Sequence, residues 1–206
     1  LILCYWQRHE ALMNPVNYIL IILRELKQAW IERLLRYRIQ YNNPTLYTHH
    51  SVIWNYGFNW LDSLEIGKGV HVMPGAEIIV FKKTRHSKKE GKLILKDHTV
   101  ITTGVNIRAA GGVIEVGEYS AIGEHCILVA ANHSTDKDHL HVGSPWDEDR
   151  TDVIIGRNVW IGANSCLLAG SRVGDNSIVG AGSVVTGEIP ANEIWAGVPA
   201  RKIKDL

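Results

Sequence analysis

An aliphatic residue returns every six positions along much of this chain, and few folds accept that period. Ile155, Ile161, Leu167, Val173, Val179 and Val185 mark it in the last third. The same step joins Ile66, Val72 and Ile78, then Leu95, Ile101 and Ile107, then Val116, Ile122 and Leu128. Four positions after most markers stands a small or modest residue: Ser120, Cys126, Ser165, Ser171, Ser177 and Ser183. A helix face recurs at about 3.6 residues and a strand face at about two, while sandwich strands are spaced irregularly at about 8 to 12. The period therefore predicts a triangular solenoid. Each hexapeptide makes one short strand and one corner, three of them close a coil, the marker points into the prism, and the small residue fills the corner. Glycines directly after the marker, such as Gly156, Gly162, Gly174 and Gly180, suit places where backbone room matters more than a side chain.

The period breaks three times, and in a solenoid a break becomes a loop. The step from Ile78 to Leu95 is 17 residues and contains the basic stretch Lys82–Lys92; that from Ile107 to Val116 is nine; that from Leu128 to Ile155 is 27. The last interruption is polar and rich in histidine. Long loops within compact folds are usually functional, so the loop at about residues 133–152 is the first place to look for a site.

The sequence before the coils is of another kind. From Pro15 to Tyr41, Ile19, Ile22, Leu23, Leu26, Trp30 and Leu34 recur at helical spacing, with Pro15 suited to a first turn and Pro44 beyond the end. Arg24, Lys27, Arg33, Arg36 and Arg38 make this helix basic. The chain thus divides into an N-terminal helical extension over residues 1–60 and a β-solenoid over 61–206 of about five coils. The extension reads first as a cap that covers unpaired strand edges at the open end, and second as a helix that docks on a membrane surface.

The 22 basic and 21 acidic side chains nearly cancel, so bulk charge argues against a nucleic-acid partner. Cys4, Cys126 and Cys166 form neither a CxxC pair nor an even-numbered framework, which suits free thiols in a reducing, cytoplasmic compartment. The longest strongly apolar run, Val16–Leu23, contains Asn17 and falls well short of the roughly 20 residues that span a bilayer. No signal peptide is visible.

The segment from Ile155 onward, with GRNVWIGAN, VGAGSVVT and the closing AGVPARKI, closely resembles the hexapeptide-repeat acyltransferases. The resemblance covers about Ile66 to Lys204 and is strongest to the branch of galactoside and maltose acetyltransferases and of capsule and exopolysaccharide O-acetyltransferases. It implies a left-handed parallel β-helix, a homotrimer with active sites at the subunit interfaces, and acetyl-coenzyme A lying along the coils. It also implies a catalytic histidine in the loop that enters the major insertion, a position occupied by His133, and an asparagine on an earlier coil, mapped to Asn106. Trp160, Ala163, Ala181, Thr186 and Arg201 fall on the family's cofactor-contacting positions, and Lys204 stands where a second basic residue is often found.

The implied reaction is transfer of the acetyl group to a hydroxyl of a sugar or surface polysaccharide. Histidine titrates near working pH, so it can take the hydroxyl proton and return it to the leaving thiol. Arg201, Lys202 and Lys204 offer cations to the coenzyme phosphates, while Trp160, Ala163 and Ala181 can line a slot for the pantetheine arm. Asp136 and Trp146 are the candidates for meeting the acceptor, with Asp138 and His139 beside them. N-acetylation of an amino sugar uses the same base and stays open. A γ-type carbonic anhydrase needs three zinc-binding histidines. His125, His133, His139 and His141 could supply nitrogens, but two of these lie off the coils and the cofactor-side motifs would go unexplained, so no metal is expected. An inactive structural solenoid would leave the loop histidine and the basic ending without a reason.

Overall fold

A computed structural model describes residues 15–55, 61–135, 138, 140 and 145–206. Cys4, Asp136, His139 and His141 lie outside the described residues. The chain divides into two compact units, Leu1–Ile39 and Gln40–Leu206. Helix α1 (Pro15–Asn42) supplies the described part of the first and ends within the first residues of the second.

Among the described residues, the second unit forms six three-stranded coils. They are β1 (Tyr47–Thr48), β2 (Ile53–Asn55) and β3 (Leu64–Ile66); then β4 (His71–Val72), β5 (Glu77–Phe81) and β6 (Lys92–Leu95); then β7 (Val100–Ile101), β8 (Asn106–Ala110) and β9 (Val113–Val116). The fourth has β10 (Ala121–Ile122), β11 (Ile127–Val129) and β12 (Val153–Ile155), and the fifth β13 (Trp160–Ile161), β14 (Cys166–Leu167) and β15 (Arg172–Val173). The sixth has β16 (Ile178–Val179), β17 (Val184–Val185) and β18 (Glu188–Ile189), and β19 (Glu193–Ala196) and β20 (Arg201–Asp205) close the chain. Every third strand pairs in parallel, which gives three faces: face A from β1 to β19, face B from β2 to β17, and face C from β3 to β18. Among the strands of the described residues, only β20, added antiparallel to β19, departs from this rule.

The sequence period is the cause of this architecture. From Val72 to Val185 the six-residue markers point inward, and none is more than 3% exposed. The small residues at the corners tie one coil to the next: Ser120 Oγ donates to the Gly156 carbonyl at 2.8 Å and Ser177 Oγ to that of Pro190 at 2.7 Å. A Cβ on Gly162 would lie 2.5 Å from the Ala181 nitrogen, and one on Gly174 would lie 2.4 Å from that of Ala191, so only glycine lets successive coils stack there. One corner column needs left-handed backbone, and Asn158, Asn176 and Asn192 supply it with φ near +54° to +62°. Their side chains form a ladder, Asn158 Nδ2 donating to Asn176 Oδ1 at 3.0 Å and Asn176 Nδ2 to Asn192 Oδ1 at 3.1 Å.

Two expectations change. The coils number six rather than about five, and strands precede the expected boundary at residue 61, since β1 and β2 already pair with β4 and β5. The six-residue step runs back through Trp54 and Thr48, which register with the markers Ile78 and Val72, but neither is aliphatic. A search for aliphatic markers therefore stops one coil short.

Candidate active site

All three breaks in the period occur at one corner, the turn from face B to face C: between β5 and β6, between β8 and β9, and between β11 and β12. Because consecutive coils stack, insertions at the same corner lie beside each other. The basic segment between β5 and β6 meets the long loop. Trp146 N donates to the His86 carbonyl at 2.9 Å, and the His86 ring stacks on the Trp146 indole at 5.7 Å with planes 18° apart. Glu148 accepts from the Lys88 backbone N–H and, at 3.0 Å, from the Ser87 hydroxyl. Gly111, at φ +76°, leaves the space that the indole fills, since a Cβ there would sit 2.8 Å from Trp146 Cε3. That is the use of the nine-residue break.

His133 is exposed, at the start of the long loop. The loop doubles back on it: His133 and Trp146 form an antiparallel bridge, flanked by Ser134 N to the Pro145 carbonyl at 3.2 Å and Asp147 N to that of Asn132 at 2.9 Å. Its imidazole stands edge-on to the Trp146 ring, with centroids 5.9 Å apart at 70°. Trp146 therefore packs between two histidines. Its Nε1 is buried and has no partner among the described residues, an arrangement that costs free energy unless a further group supplies the acceptor.

Asn106 points outward from face B one coil earlier, on a strand that pairs with β11. Its amide Nδ2 donates to Glu77, and its Oδ1 accepts from Arg108 Nε at 2.9 Å, which leaves one N–H to offer. Between the loop and the later coils lies a cavity of about 360 Å³, lined by Asn132, Asp147, Arg150, Leu168, Ala169 and Thr186 among others. Thus the structure brings Thr186 to the same corner as the loop. The polar groups Asn132, Asp147 and Arg150 were missed in the sequence because a loop of mixed charge carries no period.

Ala163 and Ala181 stack on the opposite edge of face B, at the turn from face A, where Gly182 N donates to the Ala163 carbonyl at 2.8 Å. Gly182 has nothing within 4 Å of where a Cβ would be, so this edge of small residues is open to solvent. Trp160 projects from face A beside it and is 58% exposed. Arg201 pairs with Ala196, whose Cβ faces Gly180 at the same corner, while Lys204 pairs with Ile194 further along. Lys202 is occupied: it bridges Glu193 and Asp205 at 2.7 Å each, which raises its own pKa and lowers theirs. Among the described residues no three His, Cys, Asp or Glu side chains gather as a metal site.

The Glu148 latch makes a prediction. The Lys88 N–H, and after it the Ser87 hydroxyl, hold the Glu148 carboxyl below the ordinary glutamate range against a smaller opposing effect of burial. A depressed folded pKa means the latch is intact above the unfolded value, about 4.3, and is lost as pH falls through the folded one. Limited proteolysis of the loop should therefore stay constant from neutral pH down to about 5 and accelerate only below about 4. Glu148→Ala should bring the fast cleavage to neutral pH; equal rates for the two proteins at pH 7 would remove the latch.

The chain is similar to known proteins in the same region. The family of bacterial transferase hexapeptide repeats matches residues 152–187. A galactoside O-acetyltransferase of Escherichia coli K12 is 50% identical over 54 residues, covering 26% of this chain and 27% of that protein. WbbJ of the same strain, named for O-acetyl transfer in lipopolysaccharide biosynthesis, is 32% identical over 120 residues, covering 55% of this chain and 61% of WbbJ. The chain thus spans less than two thirds of the length of these relatives. A hexapeptide-repeat acetyltransferase of Vibrio cholerae, solved with acetyl coenzyme A, superposes with a TM-score of 0.57 at 26% identity over 70% of this chain and 71% of that one. With the period, the stacked three-faced coils and these likenesses together, the fold is a left-handed parallel β-helix, and the chain is similar to hexapeptide-repeat acetyltransferases.

Proposed function

We propose that this protein transfers an acetyl group from acetyl-coenzyme A to a hydroxyl of a sugar or surface polysaccharide, with His133 as general base. The observation that carries the reading is the exposed His133 imidazole, edge-on to Trp146 and next along the chain to Asn132, which lines a cavity with polar side chains. Asn132, Asp147 and Arg150 offer the donors and acceptors that sugar hydroxyls need, and Trp146 stands beside His133 for the acceptor ring to meet. Asp136 joins this acceptor set by its place in the loop sequence. His133 takes the hydroxyl proton as the oxygen attacks the thioester carbonyl, and returns it to the departing thiol. Asn106, with one free N–H, serves the developing oxyanion or the acceptor.

For the coenzyme, the fit is an edge of small residues along Ala163 and Ala181 that ends near Arg201. Trp160 stands beside it, Thr186 lies at the other edge of face B beside the loop, and Arg201 and Lys204 meet the phosphates. Arg201→Ala with Lys204→Ala should raise KM for acetyl-coenzyme A by about three- to tenfold and leave turnover nearly unchanged, because exposed phosphate contacts are equal in ground and transition states. Initial rates across coenzyme concentrations test this, and an unchanged KM would remove both residues from the site.

A homotrimer is supported by exposed apolar side chains on face B. Its outward row runs Ile53, Glu77, Asn106, Ile127, Cys166 and Val184, and Ile53, Phe81, Ile127 and Leu168 are each 37% exposed or more. Apolar side chains next to the candidate site are suited to burial against a second subunit.

The acceptor test is a screen of sugars and oligosaccharides with labelled acetyl-coenzyme A, read by product mass and by lability to hydroxylamine. A labile product identifies an ester and supports the reading. Transfer only to amines, with a stable product, would make the protein an N-acetyltransferase, and no transfer to any carbohydrate would overturn the proposal.

A further inference from the structure

Helix α1 carries a surface that acetyl transfer does not use. Tyr18, Ile19, Leu20, Ile21, Ile22 and Leu23 are consecutive, large and apolar, and each is between 43% and 58% exposed. At about 100° per residue, six positions go round the whole helix, so this is an apolar cylinder about 9 Å long rather than the single stripe of an ordinary surface helix. Leu26 and Trp30 continue it at 62% and 64% exposed. Charge then changes along the axis. No charged residue stands between Pro15 and Leu23, while Arg24, Lys27, Arg33, Arg36 and Arg38 outnumber Glu25 and Glu32 in the rest of the helix.

A helix polarised along its length suits a boundary that is itself layered. The acyl boundary of a leaflet accepts an apolar helical segment to a depth of about 5 to 10 Å, anionic headgroups attract the cations that follow, and tryptophan favours the interface between them. The apolar length matches that depth. No helix among the described residues is long and apolar enough to cross a membrane. A second copy of the helix fits less well: paired helices bury one stripe and leave the rest polar, and an excess of basic residues would set two copies against each other.

We propose that α1 holds the protein peripherally on an anionic membrane, with Tyr18–Leu23 in the acyl boundary and Arg24 and Lys27 at the headgroups. This stands independently of the acetyl-transfer reading. The test is flotation of the full chain with vesicles of phosphatidylcholine mixed with phosphatidylglycerol, against vesicles of phosphatidylcholine alone. Partitioning to the mixed vesicles should be about tenfold greater at low salt and should fall as salt screens the cations. Leu20→Asp with Leu23→Asp should reduce flotation on the mixed vesicles about tenfold or more, and Arg24→Glu with Lys27→Glu should abolish the preference for the anionic ones. Both variants should keep the wild-type rate on a soluble acceptor, so loss of binding and loss of catalysis are read apart. Absence of wild-type flotation, or flotation unaffected by the aspartates, would overturn the proposal. A drop in sedimenting mass of the aspartate variant, with no vesicle binding by the wild type, would assign the surface to a second copy instead.

Discussion

His133→Ala should lower the turnover of acetyl transfer by about 10² to 10⁴, which corresponds to about 2.7 to 5.5 kcal/mol of barrier, the range expected when a general base is lost. Binding of coenzyme A should persist, because the small-residue edge and Arg201 lie on other coils. Part of any loss could come from the loop, since the imidazole packs against the Trp146 edge. His133→Gln separates the two causes: it keeps bulk and polarity at that edge but cannot titrate, so it should lose as much turnover as alanine while the loop resists protease as in the wild type. His139→Ala and His141→Ala, further along the same loop, should each cost much less. If His133→Ala retains more than about a tenth of wild-type turnover, the base lies elsewhere or chemistry does not limit the rate.

The parts of this molecule that repeat could be read from residues alone, and the parts that do not repeat could not. A marker every six residues is a statement about the inside of the prism, and the buried residues from Val72 to Val185 match it. The first coil escaped because Thr48 and Trp54 occupy inward positions without being aliphatic. The site divides along the same line. Ala163, Ala181 and Thr186 sit on periodic corners, so a motif assigns them to an edge before any coordinates exist. Glu148 and Ser87, by contrast, are 61 residues apart and meet only because two insertions leave the same corner of neighbouring coils. One signal was available: the breaks at Ile78, Ile107 and Leu128 all follow markers of one face, as β5, β8 and β11 show, and counting them modulo three hexapeptides would have placed the loops together. No count would have placed the indole of Trp146 between His86 and His133, because side-chain packing within loops depends on contacts that no period encodes.

Two substitutions on face B, Ile107→Ala and Ile127→Asp, should separate the stability of the fold from its assembly. Ile107 is fully buried and stacks in register between Ile78 and Leu128, so alanine removes contacts to the coils on both sides and leaves a cavity. Ile→Ala changes in cores cost about 2 to 5 kcal/mol, and a solenoid has only neighbouring coils with which to close the gap. The urea midpoint should fall accordingly. Ile127 begins the next strand of the same face but points outward and is 42% exposed, so aspartate there meets solvent in the isolated subunit and should cost less than about 0.5 kcal/mol of its folding free energy. In a trimer that buries face B, the same aspartate would place a charge in an apolar interface, which is strongly unfavourable unless paired. Sedimentation should therefore show a folded Ile127→Asp protein at the mass of one subunit beside a wild type at three. A wild type that sediments as a monomer would end the trimer proposal, and an Ile127→Asp protein that stays trimeric would move the interface to another face.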